Sequence, residues 1–178
     1  MWAFSDESER ANVMFVAIVF VPPGAVDDAR TKLRGLLLPG QRRVHTSDES
    51  ARRRRLLLDT IARIDDVSAV VLRYRRPMGV DRVGGRRVLL TAGTALVVHE
   101  GAKSWTLDDL PPSQRNRDRD TIGHALQRLA APTTVVYDHR RSHTEPLLWA
   151  ADAICWAVGA GGDWHRRIAT IVAIQDVP

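Results

Sequence analysis

A run of nine apolar residues, Val13–Val21, most constrains what this 178-residue chain can fold into. Two prolines, Pro22-Pro23, end the run. A short apolar run that is rich in β-branched and aromatic residues indicates a strand buried on both faces of a sheet. Apolar residues at Trp2 and Phe4 come before it. We therefore expect the chain to open with a β-hairpin.

The first strand of this hairpin is followed by two adjacent carboxylates, Asp6 and Glu7. A carboxylate inside a buried strand is costly, whereas one at a strand tip can face a site. The sequence therefore predicts that the strand ends here and delivers both acids to the edge of the sheet. Asp6 is the first candidate for a functional residue.

The rest of the chain alternates between two hydrophobic periods. Helical spacing of apolar residues predicts helices over 25–38, 51–64, 81–98, 116–129 and 146–158. Strands are predicted over 67–74, 104–108, 133–137 and 168–174, and the polar stretch 41–50 is a strand or a loop. A hairpin followed by alternating units predicts an α/β fold: a mixed sheet, largely parallel in its second half, with helices on both faces. No internal repeat or low-complexity linker appears, so residues 1–178 are predicted to form one domain.

Composition limits the class of protein. Hydrophobic residues make up 44% and charged residues 26% of the chain, which fits a globular domain with a proper core. No stretch approaches the roughly 18 apolar residues of a membrane helix, and the start lacks the pattern of a secretory signal. The single cysteine, Cys155, excludes an internal disulfide and suits a reducing compartment. We therefore expect a cytoplasmic protein without a membrane association, with Cys155 in core packing.

The formal net charge of +5 favours an anionic partner. Nearly all the basic residues are arginine, which also fits the composition of a high-GC genome. Because the arginine fork suits phosphate, RNA or DNA is the expected partner. The candidates for phosphate contacts are Arg42, Arg43, Arg52, Arg53, Arg75 and Arg140.

Acids recur at the ends of predicted strands. Asp6, Asp108 and Asp138 each occupy such a position, and ligand sites in open α/β sheets lie beyond the carboxyl ends of strands. A fourth acid, Asp152, lies in the most apolar helix, on the face that carries Trp156. A buried carboxylate needs a partner or a metal ion. Otherwise Asp152 lies at the solvent edge or in a structural hydrogen bond.

Taken together, these acids predict a divalent-cation site. Carboxylate oxygens suit Mg²⁺ or Mn²⁺, and two such ions about 3.5–4 Å apart can activate water and stabilise the leaving oxygen of a phosphodiester. A lone cysteine and dispersed histidines do not form a zinc pattern. The glycines do not form a phosphate-binding motif, and neither Ser8 nor Ser47 lies in a nucleophile elbow.

Three short motifs carry a resemblance to a known family. Asp6-Glu7-Ser8, Val44-His45 and the stretch LLWAADAI at 147–154 resemble the domain-of-unknown-function 3800 family of the ribonuclease H-like superfamily. The resemblance implies a ribonuclease H-like sheet whose central first strand carries the metal ligand Asp6. It also implies that the late helix supplies Asp152 and that Asp108, with Asp138 as its competitor, lies on a neighbouring strand. His45 and Glu49 fall in the family's histidine-containing segment.

Two functions follow as hypotheses. The first is a metal-dependent nuclease or phosphodiesterase in which Asp6, Asp108 and Asp152 hold the ions and Glu7 and Asp138 are additional acids. His45 would orient water or protonate the leaving group, with an ordinary structural histidine as the alternative. The second is a non-catalytic module that binds nucleic acid or a protein and keeps an incomplete site. The residues do not decide which of Asp108, Asp109 and Asp138 completes the site.

Overall fold

The computed structural model describes residues 1–131 and 134–178. The strands in these residues are β1 (Trp2–Arg10), β2 (Val13–Val21), β3 (Ser68–Arg75), β4 (Ser104–Asp108), β5 (Val136–Arg140) and β6 (Val172–Val177). The α-helices are α1 (Val26–Arg34), α2 (Ala51–Ile61), α3 (Arg82–His99), α4 (Pro112–Arg128), α5 (Pro146–Ala160) and α6 (Gly162–Arg166). The strands form one sheet in the order β5-β4-β1-β2-β3-β6. β2 is antiparallel to both of its neighbours, and the other pairs are parallel.

Helices cover both faces of this sheet. α1, α2 and α5 pack on one face around residues such as Val19 and Leu58. α3 and α4 pack on the other face around Ile18 and Trp105. Because successive residues of a strand point to opposite faces, Ile18 and Val19 of β2 enter different cores. The predicted α/β class is confirmed, with its mixed sheet, its antiparallel leading hairpin and its helices on both faces.

Asp6 lies in the middle of β1, so the prediction that this strand ends at Asp6 is wrong. β1 and β2 stay paired over nine residues, from Trp2 opposite Val21 to Arg10 opposite Val13. On the other side, the pairing of β1 with β4 stops at Ser5. Backbone pairing with β2 therefore carries the strand past its first carboxylate, while the end of β4 opens space beside Asp6.

Several other boundaries differ from the sequence prediction. Residues 41–45 form a loop, which is one of the two alternatives predicted for 41–50, and a short 3-10 turn, Thr46–Asp48, follows them. β5 begins at Val136, and Thr133, where this strand was predicted to start, lies outside the described residues. β5 continues to Arg140, so Asp138 lies inside the strand, and its predicted place at the end of a strand is wrong.

α5 is buried along most of its length. Pro146 occupies its first turn, and the Glu145 side chain caps it by accepting the backbone N–H of Leu147 at 3.2 Å. Cys155 is fully buried in this helix, and burial raises the pKa of its thiol to about 12. That confirms Cys155 as a core residue. Within the described chain, none of the helices combines the length and the apolar character that crossing a membrane requires.

Candidate metal centre

Asp6, Asp108 and Asp152 line one cavity of about 130 Å³. Alternation along β1 places Asp6 on the same face as Phe4, which packs in the α5 core. Since Ser5 pairs with Leu107, the parallel register of β1 and β4 brings Asp6 next to Asp108. A strand interior, the end of the neighbouring strand and a helix thus each contribute one carboxylate.

Asp152 ties α5 to the 3-10 turn. Its Oδ2 accepts the backbone N–H of Thr46 at 2.7 Å, and Thr46 itself is fully buried. The structural hydrogen bond that the sequence left open for Asp152 is therefore present. The carboxylate nevertheless borders the cavity as well.

The electrostatics of the cavity are those of concentrated negative charge. Among the described residues, Asp6, Asp108 and Asp152 make no salt bridge, unlike most other acids near the sheet. Burial, followed by the charges of Asp152 and Asp108, raises the pKa of Asp6 well above its usual range. Burial also raises the pKa of Asp108, although the backbone N–H of Asp109 and the Arg43 charge partly oppose it. Such a cavity favours a cation.

The donor set fits Mg²⁺ or Mn²⁺. All three side chains offer hard carboxylate oxygens, and the cavity is several times larger than the roughly 30 Å³ that a water molecule occupies in the liquid. An ion could keep part of its water shell there. In the part of the chain that the structure describes, no three His, Cys, Asp or Glu side chains form a ready-made ligand cluster. The three carboxylates therefore border the same cavity without forming a complete coordination cluster.

Asp109 and Asp138, the alternatives to Asp108 as the third acid of the site, lie outside this cavity. Asp109 is held by Arg115 at 3.4 Å and by Arg141 at 3.6 Å. Asp138 has a side chain that is 66% exposed and lies 3.5 Å from Arg140. The geometry therefore groups Asp108, rather than Asp109 or Asp138, with Asp6 and Asp152.

Glu7 borders the cavity, but its carboxylate is held on the opposite face of the sheet. It pairs with Arg86 of α3, which also forms a two-pronged ion pair with Asp118 at 2.9 and 2.7 Å. His139 Nε2 lies 3.0 Å from the same Asp118 carboxylate. Because adjacent strand residues point to opposite faces, Asp6 and Glu7 cannot serve one site in the same way.

His45 also lines the cavity, and its side chain is 42% exposed. Its Nδ1 lies 3.1 Å from Asp48 Oδ2 and 3.0 Å from Ser47 Oγ. The hydrogen bond and charge of His45 lower the pKa of Asp48. Asp48 was not among the predicted site residues, although its position three residues after His45 signals this pairing. Glu49 instead binds Arg53 at 2.9 Å.

Of the six candidate arginines, Arg43 alone borders the cavity. Its guanidinium donates to Ser142 Oγ at 2.8 Å. Arg53 is engaged by Glu49 and by the Leu36 carbonyl at 2.7 Å. The other candidates lie elsewhere on the exposed surface: Arg42, Arg52, Arg75 and Arg140.

Comparison with known proteins identifies the fold of the chain. No family model matches the chain, and no curated protein matches it. The chain is similar to a solved structure, the complex of PCNA and RNase HII from Archaeoglobus fulgidus, with a TM-score of 0.56. Sequence identity is 18%, over 96% of this chain and 75% of that chain. The protein therefore has a ribonuclease H-like fold, while membership of the domain-of-unknown-function 3800 family stays a prediction.

Proposed function

We propose that the protein is a divalent-metal-dependent nuclease or phosphodiesterase that acts on nucleic acid. The observation that carries this proposal is the set of three carboxylates around one cavity, each without a salt bridge among the described residues. The ribonuclease H-like fold supports it, since the similar solved structure contains a ribonuclease.

Each residue has a role in this proposal. Asp6, Asp108 and Asp152 would hold Mg²⁺ or Mn²⁺, which when bound supplies positive charge for the phosphate and lowers the pKa of bound water. His45, oriented by Asp48, would position water or donate a proton to the leaving oxygen. Arg43, at the edge of the cavity, would contact the phosphate through its guanidinium.

A second candidate function is a non-catalytic module that binds nucleic acid or a protein. The observation that favours it is the lack, within the described residues, of three side chains already arranged as ligands. Cation binding and cleavage separate the two candidates.

Cation binding is tested by thermal unfolding with and without Mn²⁺. A ligand that binds only the folded state stabilises it by about 2.7 kcal/mol at 100 times its Kd. For a domain of this size that corresponds to a Tm increase of roughly 5–10 °C. We expect this increase for the wild type and for Asp138→Asn, whose acid lies outside the cavity, but not for Asp6→Asn. Equal shifts in all three proteins would contradict the proposed site.

Cleavage is tested with labelled RNA and DNA oligonucleotides in Mn²⁺. Loss of a partner that merely supports a metal ligand typically costs about 10–100-fold, so loss of a ligand itself should cost at least about 100-fold. We expect this loss for Asp152→Asn, with retained folding checked by circular dichroism. Cation binding without cleavage of any oligonucleotide would favour the non-catalytic module.

A further inference from the structure

A line of arginine and tryptophan side chains begins one helical turn beyond Asp152. Trp156 follows Asp152 by four residues on α5, a spacing that puts both on the same helix face. Trp164 of α6 meets it edge to face, with the ring centroids 5.1 Å apart and the planes at 75°. We call these two rings and Arg10, Arg54 and Arg55 the arginine–tryptophan strip.

The tryptophan rings hold the guanidinium groups in place. The guanidinium carbons of Arg54 and Arg10 lie 4.6 and 5.6 Å from the centroid of Trp156. Arg55 lies 5.6 Å from the centroid of Trp164. Guanidinium stacks well on aromatic faces and loses little freedom when it then binds an anion. The strip is therefore a preorganised basic surface.

A glycine makes room for one of these arginines. A Cβ atom on Gly159 of α5 would lie 3.0 Å from Arg10 Nε and 3.2 Å from its Cδ. A side chain at this position would therefore push Arg10 away from α5 by a few tenths of an ångström.

The three arginines keep their charge available. Among the described residues, Arg10, Arg54 and Arg55 make no salt bridge, whereas the adjacent Arg53 pairs with Glu49. Arg10 and Arg55 are exposed. Burying one of these guanidinium groups against an anion would not require breaking an existing ion pair.

Arg54 connects the strip to the acid cavity. It donates to the Thr46 carbonyl at 2.8 Å and to the Ser47 carbonyl at 2.7 Å. The N–H of the same Thr46 binds Asp152. One short turn thus fixes the position of the strip relative to the carboxylates.

We propose that the arginine–tryptophan strip binds the phosphates of a nucleic-acid strand on one side of the phosphodiester held at the acid cavity. This inference rests on the proposed function. Arginines already lie over the tryptophan rings, so the surface offers guanidinium donors to phosphates rather than free rings to bases. Binding through this strip is therefore independent of base sequence.

The test compares two double variants with equal charge. Arg10→Gln with Arg55→Gln removes two cations of the strip. The control, Arg119→Gln with Arg128→Gln, removes two exposed arginines of α4, which packs on the other face of the sheet. Both lower the net charge from +5 to +3. Arg54 is spared because it also holds the turn.

The readout is fluorescence anisotropy of a labelled single-stranded oligonucleotide in EDTA between 50 and 200 mM NaCl. Each phosphate contact contributes about 0.7 to the slope of log K against log salt for single strands. We expect the strip variant to bind more weakly and to reduce the slope by about 1.4, so that the ratio of wild-type to variant affinity falls about sevenfold between 50 and 200 mM NaCl. Arg10→Lys with Arg55→Lys should keep the wild-type slope, because the charge remains.

Equal weakening in the strip and control variants would overturn the inference, since it would show an effect of net charge alone. No weakening in the strip variant, or no binding by the wild type, would also overturn it. The measurement contains no divalent ion, so it can fail while the Mn²⁺-dependent Tm increase of the wild type persists. Failure of the strip and failure of the cation site are thereby distinguished.

Discussion

At Asp6, the arrangement of the candidate site lowers the stability of the folded protein. β1 carries its carboxylate into a partly buried cavity that already contains Asp108 and Asp152. Burial and these two charges raise its pKa, which means that the folded protein disfavours the ionised form. A pKa that burial and like charges shift in this way is typical of functional sites. At Asp6 the ligand that relieves the destabilisation would be a cation.

The raised pKa of Asp6 predicts that Asp6→Asn increases the thermal stability of the protein in metal-free buffer, by an amount that depends on pH. The unfolded chain releases this proton near pH 3.9, whereas the folded protein holds it to a higher pH. The stability of the wild type therefore falls as the pH rises from the pKa of the unfolded chain to that of the folded protein. Asp6→Asn has no carboxyl group at this position, so its stability does not fall for this reason. We expect the Tm of the variant to exceed that of the wild type near pH 8 by a few degrees. The difference should shrink towards pH 5.

Thermal unfolding in EDTA across this pH range measures the effect, with Asp138→Asn as the control for an exposed acid. A variant that is less stable than the wild type near pH 8 would show that Asp6 is held in its ionised form by contacts of another kind.

The sequence was sufficient to identify the acids that line the cavity, but not to predict which face of the sheet each side chain points to. Asp108 and Asp152 were recognised from a strand end and from an unusual place in an apolar helix. Glu7 was grouped with Asp6, although the alternation of the extended strand separates them. Ser142, which supports Arg43 from a distant segment, carries no local signal. Side-chain convergence depends on register and tertiary contacts, which spacing alone does not specify.

At the scale of elements, α3 depends on close approach to the sheet. An added Cβ at Gly85 would lie 2.5 Å from Met14 Sδ and 2.8 Å from Arg76 Cδ. An added Cβ at Gly93, two turns further along, would lie 3.2 Å from Ile18 Cδ1 and 3.4 Å from Trp105 Cη2. Glycine at these positions lets α3 pack against β2 and its neighbours. The helix in turn supplies Arg86, which holds Glu7 away from the other acids.

A matched pair of glycine substitutions tests this packing. Gly85→Ala should lower the free energy of unfolding by about 1–3 kcal/mol, because overpacking forces neighbours to move. Gly123→Ala in α4 meets no atom within 4 Å and should raise it by about 0.5–1 kcal/mol through helix propensity. Urea denaturation measures both changes. A neutral or stabilising Gly85→Ala would show that α3 does not need this approach.

Element type was predictable where the hydrophobic period is long and regular. The hairpin, β3, α3 and α5 follow directly from apolar spacing. The end of β1 could not be predicted from apolar spacing, because backbone pairing with β2 continues through Glu7 and Glu9 regardless of side-chain polarity. Similarly, β5 extends through Asp138 and Arg140, where parallel pairing with β4 fixes its limits.

Across the whole molecule, the two faces of the sheet have different chemistry. The face covered by α1, α2 and α5 carries the acid cavity and the arginine–tryptophan strip. The other face buries the ion pairs among Glu7, Arg86 and Asp118, where charges satisfy one another. The α5 side thus brings carboxylates and guanidinium groups that make no salt bridge among the described residues close to one another. A site for a cation and a phosphate-bearing strand requires such a pairing of opposite charges.

The most direct test is crystallographic. Crystals grown with Mn²⁺ and measured near the manganese absorption edge should show an anomalous peak in the cavity, coordinated by Asp6 and Asp152, with Asp108 as a further ligand. The same measurement on Asp6→Asn should show no such peak. A well-diffracting wild-type crystal at millimolar Mn²⁺ with no anomalous density between these carboxylates would contradict the account.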